Sequence, residues 1–458
     1  MTISASKGFI LVLVVSALSA CSSVNTSAPA TSTTEVATKT STKLLPDSPT
    51  RPVIQTAWWQ RFNDPLMTTL IQEAWQANPT LQTAQASVQA ARAQGVIAGA
   101  SLLPTVSASG SLRDTNSARL SGSIGADASW ELDLWGGNRL ASVAAQHDFQ
   151  AAQANYQDVK ATLAAEVASA YVNLRLAQAR AGLARKTNQS RQETLKLAEM
   201  RLKAGLDSGL TTEQARLSYG QNQAQLPELD SAVQRSQYAL SVLTGKTPPA
   251  LVERLSTPKP IPSVSGVLQT TIPANAMRQR PDIRAAEYQI AAASARVGEA
   301  KTNLYPSFNL AGSLTNSGFN LGDLLDPTTI AKNLLASISA PLFNGGKLKQ
   351  QVIVKDAAYD QAVANYQKTI LSALQDVANG FATLQALQKQ QPILQQNLTT
   401  ARSTERLATM SYQAGLSDFQ NVLDAQRSVL STQEALLSAQ AETSLALISL
   451  YKAVGGAW

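Results

Sequence analysis

One stretch of the sequence decides the fold, and it reads LSGSIGADASWELDLWGG over residues 120–137. Its even-numbered positions up to Leu134 are mostly apolar, whereas the odd-numbered ones are Ser, Gly, Asp or Glu. Alternation with a period of two predicts a long β-strand with one apolar and one polar face. The glycine pair Gly136-Gly137 then allows the backbone to turn from this strand into the next element.

The residues after this turn predict one very long helix. Between Leu140 and Lys203 there is no proline, and Gly182 is the only glycine. About 65 residues at ~1.5 Å per residue would span roughly 100 Å, either as one helix or as two successive segments. A heptad-type apolar stripe predicts close helix packing. The stripe consists of Leu163, Val167, Ala170, Leu174, Ala177, Ala181 and Ala184.

The same order of patterns occurs twice in the chain. Pro79 and Pro281 each open a helix-like segment, 202 positions apart, and the turns at 204–206 and 414–416 lie 210 positions apart. A period of this length indicates a duplicated structural unit rather than a solenoid. Each unit carries two strands, expected at about 103–115 and 119–135, then at about 304–317 and 331–343. In the second long helix, Pro392 is expected to perturb the path.

These patterns divide the chain into five segments. They are a signal peptide at 1–20, a lipidated tether at 21–56, a first structural repeat at 57–247, a Pro-rich connector at 248–276 and a second structural repeat at 277–458.

The N-terminal segment has the features of a targeting sequence. Lys7 precedes an apolar stretch that is too short to span a bilayer as a helix. The stretch ends in Leu18-Ser19-Ala20-Cys21, which resembles a bacterial lipobox, and Cys21 is the single cysteine of the chain. The resemblance implies a covalent lipid on Cys21. An ordinary signal peptide with a coincidental cysteine is the alternative.

Composition excludes several classes of function. Charged residues make up 15% of the chain, and no dense basic run with interleaved aromatics accompanies the net charge of +7, so nucleic acid is not an expected partner. With one cysteine and one histidine (His147), neither a transition-metal site nor a Ser/His/acid arrangement is expected. Gly245-Lys246-Thr247 lacks the first glycine of a phosphate-binding loop. We therefore expect no cofactor and no enzymatic activity.

The strand pattern requires an assembly. Long strands with one apolar and one polar face are typical of outer-membrane β-barrels. Each unpaired backbone group in hydrocarbon costs several kcal/mol, so a membrane sheet must close on itself. Four strands cannot close a barrel, whereas three chains give twelve. The expected fold is therefore mainly α with membrane β: a trimeric, twelve-stranded barrel continued by an α-helical barrel.

The motifs resemble those of the outer-membrane efflux proteins, specifically the lipoprotein branch that serves resistance-nodulation-division pumps. The resemblance covers essentially the whole mature chain. It rests on the lipobox at Cys21, Trp58-Trp59 with Phe62-Asn63-Asp64-Pro65, the run 131–136 (ELDLWG), the run 280–287 (RPDIRAAE) and the run 423–427 (LDAQR).

The resemblance implies a homotrimer, lipid-anchored in the outer membrane, with its helical barrel in the periplasm. A periplasmic adaptor would meet the helical turns and join the duct to an inner-membrane pump of that class. The implied adaptor-contact turns are Ala204, Gly205, Leu206, Ala414, Gly415 and Leu416.

By residue match, the resemblance also places a periplasmic gate at Asp424 and Arg427. Gln420 stands where the family often has an apolar residue, which puts a second, hydrophobic constriction in doubt. The position of Asp424 in the first repeat holds Gln214, so an acidic ring would be threefold. From spacing alone, Asp424 and Arg427 would be an ordinary pair on a helix surface.

The expected function is a passive exit duct for drugs or other small molecules. One alternative is a duct for another substrate class, protein or oligosaccharide. A periplasmic adaptor lipoprotein would also have a lipobox and a helical hairpin, but the duplicated pairs of long strands argue against it.

Overall fold

The computed structural model describes residues 57–115, 118–264, 277–318, 326, 328 and 330–455. The expected signal peptide (1–20) and tether (21–56), including Cys21, lie outside the described residues, as does 265–276 of the connector. The helices and strands are α1 (Pro65–Ala77), α2 (Pro79–Ala100), β1 (Thr105–Thr115), β2 (Ala118–Glu131), α3 (Gly137–Lys203), α4 (Gly209–Leu243), α5 (Pro281–Thr302), β3 (Ser307–Gly318), β4 (Ala331–Ser339), α6 (Lys347–Gln413) and α7 (Phe419–Ala453).

The internal repeat is reproduced element by element. Helices α2 and α5 have 22 residues each, α3 and α6 have 67 each, and α4 and α7 have 35 each. Each long segment is one helix, so the two-segment alternative is wrong. Helix α6 continues through Pro392, whose side chain is exposed. Proline has no N–H to donate to the carbonyl one turn earlier, but water can hydrogen-bond that carbonyl at an exposed position. The proline therefore does not interrupt the helix.

The four strands form one antiparallel sheet in the order β1-β2-β3-β4. In the middle of the sheet, Ala126 of β2 lies opposite Ala108 of β1 and Leu314 of β3. Strands β1 and β4 are the edges, and β4 is exposed along its whole length. The sheet therefore leaves two edges for strands of other chains.

All four strands are shorter than expected, and proline explains the difference at three of them. Strand β1 begins after Pro104, β3 begins after Pro306, and β4 ends at Ser339, before Pro341. Proline has no backbone N–H for a strand ladder. Strand β2 ends at Glu131, and the residues after it leave the sheet for the junction with the helices.

Aromatic side chains occupy that junction. The indole N–H of Trp135 donates to the Pro306 carbonyl at 2.6 Å, and its ring stacks on Tyr305 at 5.1 Å. The indole of Trp130 donates to the Leu102 carbonyl at 3.1 Å. The Trp135 contacts fix the β2–α3 linker of the first repeat against the α5–β3 linker of the second, whereas Trp130 ties β2 to the α2–β1 linker of its own repeat.

The helix starts follow from local chemistry. The Asn78 side chain accepts from the Thr80 amide at 2.8 Å, with Pro79 at the first helical position, as expected of an N-cap. Gly136 and Gly346 precede the long helices with φ of 81° and 83°. A residue without a side chain adopts this left-handed backbone most readily.

The main hydrophobic core lies around the middle of the long helices. Trp58 and Phe62 are buried there, and Trp58 stacks on Tyr451 of α7 at 5.4 Å. Leu251 and Leu255 of the connector belong to the same buried cluster. The described part of the connector thus packs beside the N-terminal segment.

A buried arginine organises this core. Arg175 of α3 is fully buried and donates to the Thr257 carbonyl at 2.9 Å and to the Tyr171 hydroxyl at 2.8 Å. Tyr171 in turn donates to Asp64 at 2.7 Å, and Asp64 caps α1. One polar network therefore joins α3, the connector and the N-terminal segment.

Among the described residues, no helix combines the length and apolar character needed to cross a membrane.

Candidate functional site: the tip of the helical hairpins

Two equivalent turns form the end of the molecule farthest from the sheet. Gly205 and Gly415 have φ of 70° and 73°. The Leu206 amide donates to the Arg201 carbonyl at 2.9 Å, and the Leu416 amide donates to Ser411 at 2.8 Å. These bonds close the ends of α3 and α6 in the Schellman manner. The side chains of Leu206 and Leu416 are 66% and 82% exposed, so each turn presents an apolar residue outward.

The three residues expected at the gate lie together on one face of α7. Arg427 donates to the Asp424 carboxylate at 3.2 Å, and the Gln420 amide donates to the same oxygen at 3.1 Å. The Asp424 and Arg427 side chains are more than half exposed. Since α7 begins at Phe419, the group lies within the first three turns of the helix.

The first repeat has no copy of this polar group. The positions 210 residues earlier hold Leu210, Gln214 and Leu217. Leu210 and Leu217 are 68% and 62% exposed. The two hairpins therefore present different chemistry at equivalent places, polar from the second and largely apolar from the first.

A second cluster at the tip joins the two hairpins. Asp207, after the first turn, accepts from Arg201 at 3.1 Å and from the hydroxyl of Tyr412, which lies in the last turn of α6. Arg201 lies over the Tyr412 ring at 4.7 Å and donates to the Gln413 carbonyl at 3.0 Å. Contacts of this kind hold the first hairpin against the end of the second.

Sequence reasoning missed this cluster, although the repeat carries a signal for it. Each member differs in residue type from the equivalent position of the other repeat, 210 residues away. Arg201 corresponds to Ser411, Asp207 to Ser417, and Tyr412 to Leu202. A polar residue that one copy has and the other lacks is a candidate for a role outside the repeated packing.

The charges of the cluster are well defined near neutral pH. Burial alone would raise the pKa of Asp207, but hydrogen bonds from Tyr412, Arg201 and Thr211 outweigh it and lower that pKa below its ordinary value. Burial, and then the Asp207 carboxylate, raise the pKa of Tyr412 to about 12. The tyrosine is therefore the donor and the aspartate the charged acceptor.

Comparison with known proteins identifies the family. The family model described as outer membrane efflux protein matches residues 70–246 and 272–456. The chain belongs to this family. It is 30% identical over 414 residues to the cation efflux system protein CusC of Escherichia coli O6:H1, covering 88% of this chain and 89% of CusC. It is 31% identical over 411 residues to the solvent efflux pump outer membrane protein SrpC of Pseudomonas putida, covering 87% and 86%.

Solved structures of outer-membrane proteins have the same fold. The outer-membrane channel OprN matches with a TM-score of 0.83 at 28% identity, over 89% of this chain and 94% of OprN. The outer membrane protein VceC of Vibrio cholerae matches with a TM-score of 0.79 at 28% identity, over 88% and 99%. This efflux protein is therefore an outer-membrane protein with the family's trimeric barrel fold, and its helical part extends into the periplasm.

Proposed function

We propose that this protein is the exit duct of a tripartite efflux system, through which small molecules leave the cell passively. Its relatives include proteins named for efflux of cations, solvents and toluene, and for pyoverdine export. Those names describe ions and small organic molecules, which favours such a substrate class over protein or oligosaccharide. The energy would come from an inner-membrane pump of the resistance-nodulation-division class.

The convergence of Gln420, Asp424 and Arg427 on one carboxylate near the tip carries the proposal of a gate. In a trimer, three such groups would surround the axis. Three aspartates around a narrow axis repel one another and attract cations, so the ring can select charge and hold a cation. The Asp207–Tyr412 contact adds a bond between hairpins that must break if the tip is to widen.

The exposed turns supply a surface for a partner. Leu206 and Leu416 offer apolar side chains at equivalent places of the two hairpins. A trimer would present six such turns, a ring on which the hairpin tips of a periplasmic adaptor can dock. Within this proposal, Cys21 carries a lipid that adds a second attachment to the outer membrane.

Single-channel conductance of the purified protein in planar bilayers tests the gate. Replacing Asp424 and Arg427 together by alanine should raise conductance several-fold, because the polar group at the constriction is removed. The matched control is the exposed ion pair of Arg185 with Asp230, higher on the first hairpin, which should leave conductance unchanged when replaced in the same way. Equal conductance of wild type and the Asp424/Arg427 variant would remove the gate assignment.

The duct itself has a simpler test. The purified protein should need detergent, run as a trimer and form ion-conducting channels. A water-soluble monomer without channel activity would overturn the proposal.

A further inference from the structure

A basic cavity lies between the two hairpins, above the tip. Its volume is about 310 Å³. Lys186 and Arg191 of α3 line one side, and Arg402 and Glu405 of α6 line another. Glu405 is eight residues before the end of α6 at Gln413, which places the cavity ~12 Å above the turns at 1.5 Å per residue.

The charges of the lining are unbalanced. Three cations face the cavity and one carboxylate, Glu405, opposes them. Within the described ranges, no hydrogen bond and no ion pair within 4 Å joins Lys186 or Arg402 to another residue. Other arginines of the hairpins do have carboxylate partners: Arg201 pairs with Asp207. Arg402 and the carboxylate of Glu405 attract each other, so the lining keeps an excess of positive charge on Lys186 and Arg191.

Arg191 is the most buried of the three, and its hydrogen-bonding groups are only partly satisfied. One of its terminal nitrogens donates to the Ser218 carbonyl at 2.8 Å, while its Nε is buried without a partner among the described residues. Burial, and then the positive charge of Arg427, lower the pKa of its guanidinium. An anion beside Arg191 would offset both the burial and this repulsion.

We propose that this cavity binds a small oxyanion, phosphate or a carboxylate, between Arg191 of the first hairpin and Arg402 of the second. Guanidinium groups bind such oxygens through paired, charge-assisted hydrogen bonds. Thr187 and Ser190 line the same cavity and add hydroxyl donors, and Lys186 adds an ammonium group.

A bridging anion would hold the hairpins together. It contacts α3 and α6 at once, so separating them breaks one set of its bonds. Its negative charge also reduces the repulsion between Arg191 and Arg427. Arg427 then keeps its hydrogen bond to the Asp424 carboxylate. This consequence rests on the proposed duct and gate, whereas binding of the anion does not.

Calorimetric titration of the detergent-solubilised trimer with inorganic phosphate tests the site, with ionic strength held constant by chloride. We expect saturable binding of one phosphate per chain, and competition by succinate. The double variant Lys186→Gln/Arg402→Gln should weaken binding at least tenfold. Both side chains are exposed, so the variant should fold. Arg191→Gln should abolish binding.

The matched control is Arg216→Gln, an exposed arginine of the first hairpin that is paired with Glu213. It should bind phosphate as wild type does. Absence of saturable binding in wild type, equal binding in the double variant, or competition by chloride as strong as by succinate would each overturn the site. If the protein binds phosphate but conducts no ions, the proposal of an anion site stands and the proposal of an exit duct is overturned.

Discussion

The hydroxyl of Tyr412 donates to the carboxylate of Asp207, although 205 positions separate the two residues in sequence. The bond joins the last turn of α6 to the residue that follows the first tip turn. It is therefore a contact between the hairpins at the place where a duct of this shape would open.

Removing this bond should favour an open tip. Tyr412→Phe keeps the ring against Phe419, at 5.2 Å, and deletes only the hydroxyl. A hydrogen bond to a charged group is worth about 1.5–3 kcal/mol. Single-channel recordings should show higher conductance or more frequent opening. Tyr366→Phe is the control, because Tyr366 donates to Glu287 at 3.1 Å far from the tip; a matching change there would contradict a local effect.

The contact should withstand wide changes of pH. The pKa of Asp207 is lowered in the folded protein, so its contribution is present above the unfolded value of about 3.9 and is lost as pH falls through the folded value. The pKa of Tyr412 is raised to about 12, so its contribution is complete below pH ~10 and is lost as pH rises through about 12. The effect of this contact on channel opening is the difference in opening frequency between wild type and Tyr412→Phe. This difference should be constant between pH 5 and 9. A pronounced slope in that window would contradict the assignment.

The Arg175 network should dominate the stability of the core. Arg175→Met fills much of the same volume but leaves the Tyr171 hydroxyl and the Thr257 carbonyl without their partner. Breaking a buried charged network costs about 3–5 kcal/mol. Thermal unfolding followed by circular dichroism should show a clear loss of stability. Arg180→Met, on the exposed side of the same helix, should cost little, and equal losses would refute the special role of Arg175.

Two glycines with similar backbone should respond differently to alanine. A Cβ on Gly245 would lie 2.3 Å from the Ala77 carbonyl oxygen, whereas one on Gly205 meets nothing within 4 Å. Both have positive φ, which costs an alanine about 1–2 kcal/mol. Gly245→Ala should therefore lower the unfolding temperature much more than Gly205→Ala. Similar decreases in unfolding temperature for the two variants would contradict this. They would show that α1 and the end of α4 can move apart at little cost.

The seam between subunits should resemble the junction inside one chain. Trp135 packs on Tyr305 and Pro306. Leu103 and Pro104 lie 202 positions before these two residues, and Phe343 follows β4 as Trp135 follows β2. Phe343 is 94% exposed and Leu103 is 66% exposed in the single chain. Phe343→Ser should lower the temperature at which the trimer dissociates on denaturing gels. Leu416→Ser, at a side chain that is also largely exposed (82%) but lies at the tip, should leave this temperature unchanged.

The sequence predicted what depends on local pattern. Alternation located the strands, the absence of proline located α3, and the repeat carried both assignments into the second half. It did not predict the Asp207–Tyr412 and Arg175–Thr257 contacts, because each joins side chains that are far apart in sequence and are brought together only by packing. At the site, the contacts among Gln420, Asp424 and Arg427 could be predicted from their spacing on a single helix, whereas the gate role rests on the family resemblance and stays a prediction. The predicted strand ends were wrong where the alternation continues past a proline. Alternation describes side chains only, whereas proline ends a strand because it lacks the backbone N–H that the ladder needs.

The equal length of α3 and α6, 67 residues each, has a consequence for how such a chain can change. An insertion in one of them would move its turn by ~1.5 Å per residue along the axis and rotate every following side chain by about 100°. The ring of six turns would then no longer lie in one plane. Changes in the reach of this protein across the periplasm must therefore occur in both halves together, and in matched steps that restore the packing faces.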